Sequence, residues 1–192
     1  MTRSISIERR SDGVATRYTD FQLPPEKLRV LLEELFREHW REITFGPVLE
    51  GAVFELRLEK PPAVRFQDGY LTVDAGPWHF HLCTGPHQGN RSEELRQKRP
   101  VHRAAFFETR GGGCGGGRSW GLRFWNGFGE QMLTIFLPNP HLDDQMRPVR
   151  EPDWSRLRLY YQLRHAWLGE PFPEDFELAA NAPWPESAPG SE

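Results

Sequence analysis

"GYLTVDAGPWHFHLC", residues 69–83, carries two alternating stretches on either side of Asp74-Ala75-Gly76-Pro77. Asp, Gly and Pro each favour a chain reversal for their own reason: a carboxylate that bonds nearby amides, freedom at positive φ, and a pre-set φ. The stretch therefore predicts two antiparallel strands joined by a tight turn. Successive side chains of a strand point to opposite faces. Trp78, Phe80 and Leu82 then share one face and read as core, while His79, His81 and Cys83 share the other.

Hydrophobic packing does not account for that second face. It aligns three metal-capable groups at intervals of roughly 6.6–7 Å, and His87 follows across Thr84-Gly85-Pro86. The pattern His-x-His-x-Cys-x3-His predicts metal binding, with His79 and His81 as the leading ligands, then His102 and His87, then Cys83. Imidazole with thiolate suits zinc or copper, and imidazole with carboxylate suits zinc, iron or manganese. The expected cofactor is a divalent metal, zinc first and copper or iron second. Three protein ligands would leave a position for water, whose pKa the metal lowers. Glu130, just after the turn Gly127-Phe128-Gly129, or Glu108 would then take the proton.

"WHFHL" (78–82) resembles the His-x-His strand of the alpha-type carbonic anhydrases, which implies zinc with His102 in the place of a third histidine. "CTGPHQG" (83–89) is similar to the copper loop of plastocyanin-type proteins, which implies Cys83 and His87 as ligands. The Cys–His spacing is one residue longer here, and the next methionine is Met132. Each likeness covers under a dozen residues, and neither is taken as a family assignment.

Two other classes fit the same residues. Cys83 beside His81 or His87 would form a thiolate–imidazolium pair, a nucleophile or redox centre, because a neighbouring cation lowers a thiol pKa. Alternatively, the face belongs to a non-catalytic domain that binds a small molecule or a protein without metal. The run "RGGGCGGGR" (110–118) sets six glycines around Cys114. It reads as a mobile hairpin loop, 111–117, with two further possibilities. Its amides would form an anion-binding nest between Arg110 and Arg118, or it would act as a lid bringing Cys114 to the histidines. No Gly-Lys-Ser/Thr follows it, so it is not a phosphate loop.

Outward from this centre the chain reads as helices flanking strands. Leu28, Leu31, Leu32, Leu35 and Phe36 recur at helical spacing within 25–41, with Pro25 in the first turn. A second helix spans 153–168, with Asp153 as N-cap and Gly169 at its exit. Segments 51–59, 101–109, 119–126 and 130–138 read as strands, a hairpin turns near Asp12-Gly13, and 90–99 is a short exposed helix or a loop. The fold class expected is α+β: an antiparallel sheet with helices packed on one face, in a single domain over residues 1–170. Residues 171–192 are expected to be an acidic, proline-rich tail, partly disordered.

The net charge of −3 conceals an uneven distribution. All five acids beyond residue 170 lie in that tail, which has no base, so the body holds 24 bases against 22 acids. A body so close to neutral lacks the field that holds a phosphate backbone, which argues against nucleic acid as a partner. No run approaches the ~18–20 apolar residues of a membrane span, and the start has no signal-peptide pattern. Two cysteines make no disulfide framework. A soluble, cytoplasmic protein is expected, with a small molecule as its possible partner and no reading of oligomeric state.

Overall fold

The computed structural model describes residues 4–21, 24–49, 51–112 and 116–184. In chain order the elements are β1 (Ser4–Arg9), β2 (Ala15–Phe21), α1 (Pro25–Arg37), β3 (Thr44–Gly46), β4 (Val48–Leu49), β5 (Ala52–Val53), β6 (Ala63–Gln67), β7 (Tyr70–Asp74) and β8 (His79–Cys83). They continue with α2 (Glu93–Lys98), β9 (Arg103–Arg110), β10 (Arg118–Trp125), β11 (Gln131–Phe136), α3 (Arg158–Leu168) and α4 (Phe176–Asn181). Strands hydrogen-bond in the order β1-β2-β9-β10-β11-β3, β4-β5 and β6-β7-β8. Antiparallel sheets with a few helices make this an α+β protein. The chain divides into two compact units, one of Met1–Asp20, Phe106–Gly121 and Leu137–Glu192, the other of Phe21–Ala105 and Leu122–Phe136.

In the first unit β1 and β2 pair from Ser4↔Asp20 to Arg9↔Ala15. Gly13 turns the hairpin at φ 89°, and Asp12 accepts the Val14 amide. Helix α3 is shorter than its sequence pattern, because Trp154–Leu157 winds as a 3-10 turn capped by Asp153. Gly169, in the left-handed region at φ 65°, ends it. Its Arg164 is buried and charge-paired: Nε and Nη2 each donate to Glu170 at 2.8 Å, and Nη1 donates to the hydroxyls of Thr19 and Tyr160. Arginine survives burial here because nearly every donor has an acceptor.

The second unit is built on α1, which buries Leu28, Leu31, Leu32, Leu35 and Phe36 as the spacing requires. The helix stops at Arg37 rather than continuing to residue 41. The His39 carbonyl then accepts the amides of Glu42 and Ile43, and Ile43 and Phe45 enter the core. Phe45 meets Phe36 edge to face at 4.9 Å and lies 5.9 Å from Phe80.

The hairpin of residues 69–83 forms as its sequence implies, with Tyr70↔Cys83, Thr72↔His81 and Asp74↔His79 in register. Gly76 adopts φ 89° and Asp74 accepts its amide. β6 is an element the alternation did not reveal. Conversely, 51–59 yields only β5 and an isolated bridge, Phe45↔Leu56. Residues 90–99 resolve to α2, with Ser92 capping the Leu95 amide, and residues 171–184 include α4.

Candidate functional site

The β6-β7-β8 sheet separates its residues by parity. Val64, Leu71, Val73 and Leu82 are buried on one face. The other carries Arg65, Thr72, Asp74, His79 and His81 in exposed or half-buried positions. The His79 and His81 rings lie edge to face with centroids 4.8 Å apart, so the pair does project side by side. Its neighbours are polar: Thr72 Oγ1 is 2.9 Å from His81 Nδ1, and Asp74, opposite His79, is tied to Arg65 at 2.9 Å.

Cys83 follows in the same parity but is buried, because residues 84–90 fold across it and its thiol donates to the Gly85 carbonyl. Burial pushes the thiol above its usual range, against smaller opposing effects of the Gly85 backbone, Tyr70, Arg99 and Asn90. That is the opposite of the shift a nucleophilic thiolate needs.

His87 turns back toward the sheet at the Thr84-Gly85-Pro86 bend, and its ring stands edge on to Tyr70 at 4.9 Å. Arg99 Nη1 lies 3.0 Å from Nε2, and an arginine only donates, so Nε2 is the acceptor. Nδ1 stands 3.2 Å from Asp68 Oδ2 and 3.1 Å from the Gly89 amide. The Gln88 amide and then His87 hold the Asp68 carboxyl below its usual range. Both ring nitrogens of His87 are thus engaged, next to a permanent cation. His102 Nε2 donates to the Arg96 carbonyl at 3.1 Å. Glu130 closes its own turn, taking the Asn126 amide group at 2.8 Å. Among the described residues, no three His, Cys, Asp or Glu side chains are grouped to hold a metal ion.

What the loop and α2 do line is an open cavity of about 530 Å³. Pro25 and Leu28 of α1, Pro86, Pro100 and Val101 supply its apolar wall, and His87, Asn90, Arg96, Gln97 and His102 its polar side. The Val101 amide donates to the Cys83 carbonyl, pinning this wall to the end of β8. Asn90 is 9% exposed, and its Nδ2 has no hydrogen-bond partner among the described residues.

Residues 5–169 match a family of unknown function, DUF7676. The chain belongs to that family. No curated protein matches it. The matched span of this DUF7676 protein takes in the histidine strand, α2 and every residue lining the cavity.

His79, His81, His87, His102 and Cys83 are legible in the sequence of this DUF7676 protein, whereas the places of Asp68, Tyr70, Asn90 and Arg99 beside them are not. Neither Arg99 nor Asp68 carries a periodic or motif signal. The second proposed proton acceptor, Glu108, is 2% exposed and bonded by Arg17, Arg110, Arg118 and Trp184. Cys114 lies outside the described residues, and with it the lid role of the glycine run. The amides of Gly111 and Gly112, which a nest would offer to an anion, close instead on the Gly117 carbonyl. No described helix is long and apolar enough to cross a membrane.

Proposed function

We propose that this protein binds a small organic molecule in the cavity between α1, the 84–90 loop and α2. The carrying observation is the volume of about 530 Å³, with one apolar wall and several polar groups opposite. Pockets of 300–1,000 Å³ with mainly apolar lining and a few placed polar groups are where small molecules bind. Arg96 and Gln97 on the cavity's polar side carry N–H donors that suit a ligand with a hydrogen-bond acceptor. Small carboxamides and aromatic carboxylic acids match both walls. The test is ligand-detected NMR with a panel of such compounds on the native protein and on Val101→Trp, which fills the cavity. Binding to the native protein and not to the variant supports the reading. Equal binding to both, or none to either, ends it.

A second reading rests on the adjacent rings of His79 and His81. We propose them as a two-histidine anchor for a divalent metal, zinc first and copper or iron second, with water or another molecule completing the coordination. Stoichiometric metal in the purified protein that disappears in His79→Ala/His81→Ala supports it, and a metal-free native protein rejects it.

A further inference from the structure

The unit that holds β1, β2 and α3 contains an arrangement of charge that the cavity does not use. Arg17 Nη2, Arg110 Nε and Arg118 Nη2 lie 2.8, 2.9 and 2.9 Å from the carboxylate of Glu108. One buried carboxylate faces three guanidinium ions, and such a surplus of positive charge in a partly desolvated place favours an anion.

The donors that remain are covered by the chain's own C-terminal segment. Arg110 donates to the carbonyls of Ala180 and Ala182, and Arg118 to the carbonyl of Ala180 and the side chain of Asn181. Trp184 lies over Arg110 and Arg17, 4.4 and 5.5 Å from ring centroid to guanidinium carbon, and its indole N–H reaches Glu108. Carbonyl oxygens satisfy hydrogen bonds but leave the surplus charge in place.

A second observation is independent of the first. Arg118 Nε and Trp120 Nε1 are buried donors with no partner among the described residues, and the buried Nε2 of His141 has none either. The three side chains adjoin: Arg118 stands 4.8 Å over the Trp120 ring, and His141 is stacked parallel to that ring at 6.4 Å. Trp120 is fully buried. Buried donors of this kind are ordinarily matched by an acceptor.

The covering segment buries little of its own side-chain surface. Helix α4 buries only Ala180, and Leu178 is 71% exposed. Phe176 stacks on Tyr161 at 5.6 Å. A helix of six residues has no stability of its own, so it depends on these contacts and on the arginine–carbonyl bonds.

We propose that Arg17, Arg110 and Arg118 form a binding site for an oxyanion, phosphate or carboxylate, which the segment 175–184 covers and which the anion opens by replacing the segment's carbonyls. The donors on Arg118 and Trp120 then have an acceptor within reach, and the charge surplus is matched.

The test uses the full chain and inorganic phosphate, with acetate in a parallel arm and sodium chloride at equal ionic strength as control. Phosphate or acetate is expected to shift the indole N–H resonance of Trp184. Either anion should also speed hydrogen exchange of the Leu178 and Ala179 amides, which are now bonded to Asp175. A stronger response to phosphate assigns a phosphoryl ligand, and one to acetate a carboxylate. Phe176→Ala/Trp184→Ala, which loosens the segment, should bind the anion at least about tenfold more tightly, and Arg17→Gln in that background should abolish the gain. Responses no larger than those of chloride, or equal affinity in the native and loosened proteins, would overturn the proposal.

Discussion

His79 and His81 stand edge to face on the exposed side of β8, and neither ring contributes to a buried surface. Replacing both with alanine is therefore expected to change stability by no more than about 0.5 kcal/mol, the usual range for exposed positions. Urea denaturation checks this. A loss of several kcal/mol would show that the pair holds the fold together.

Gly69 sits at φ 76° in the turn between β6 and β7, after Asp68 at φ 47°. A Cβ built there would run into the carbonyls of Gly85 and Pro86, so this glycine is what lets the cavity loop lie close against the turn. Gly69→Ala combines a left-handed backbone with a clash and should destabilise by about 2 kcal/mol. It should also broaden the amide resonances of residues 84–89. A neutral effect on both would place the loop elsewhere.

Cys83 is 3% exposed, and burial raises its pKa. Iodoacetamide should label it slowly at neutral pH in the native protein, and rapidly once the chain is unfolded in urea. Peptide mapping by mass spectrometry separates it from Cys114. Fast native labelling of Cys83 near pH 7 would instead revive the thiolate mechanism.

Burial, and then Arg118, lower the pKa of His141 below its ordinary 6.5. The unfolded chain then takes up a proton before the native protein does. The contribution to stability is full above the unfolded value of 6.5 and is lost as pH falls through the lower native value. Urea midpoints between pH 7 and about pH 5 should fall with this slope and flatten in His141→Asn. An unchanged slope in the variant would assign the acid sensitivity to other groups.

Much of the architecture follows from local rules of the chain. Period-two alternation with an Asp-Ala-Gly-Pro turn was enough for β7 and β8, and for setting His79 and His81 on one face, because strand geometry leaves a side chain only two directions. Leucine spacing placed α1 for the same kind of reason. Element ends were less legible: α1 stops at Arg37 because Ile43 and Phe45 have a core to fill, which is a long-range demand.

The surroundings of the histidines were decided only in three dimensions. No pattern in the chain couples Arg99 to His87 across twelve residues, or brings Asp68 to the same ring across nineteen. Nor does it show that Cys83, equal in parity to His81, ends up buried while His81 stays exposed. Alternation settles which face a side chain takes, but burial depends on what later segments lay over that face. The cavity and the arginine cluster around Glu108 arise the same way, from residues whose proximity is set by how distant segments close the core.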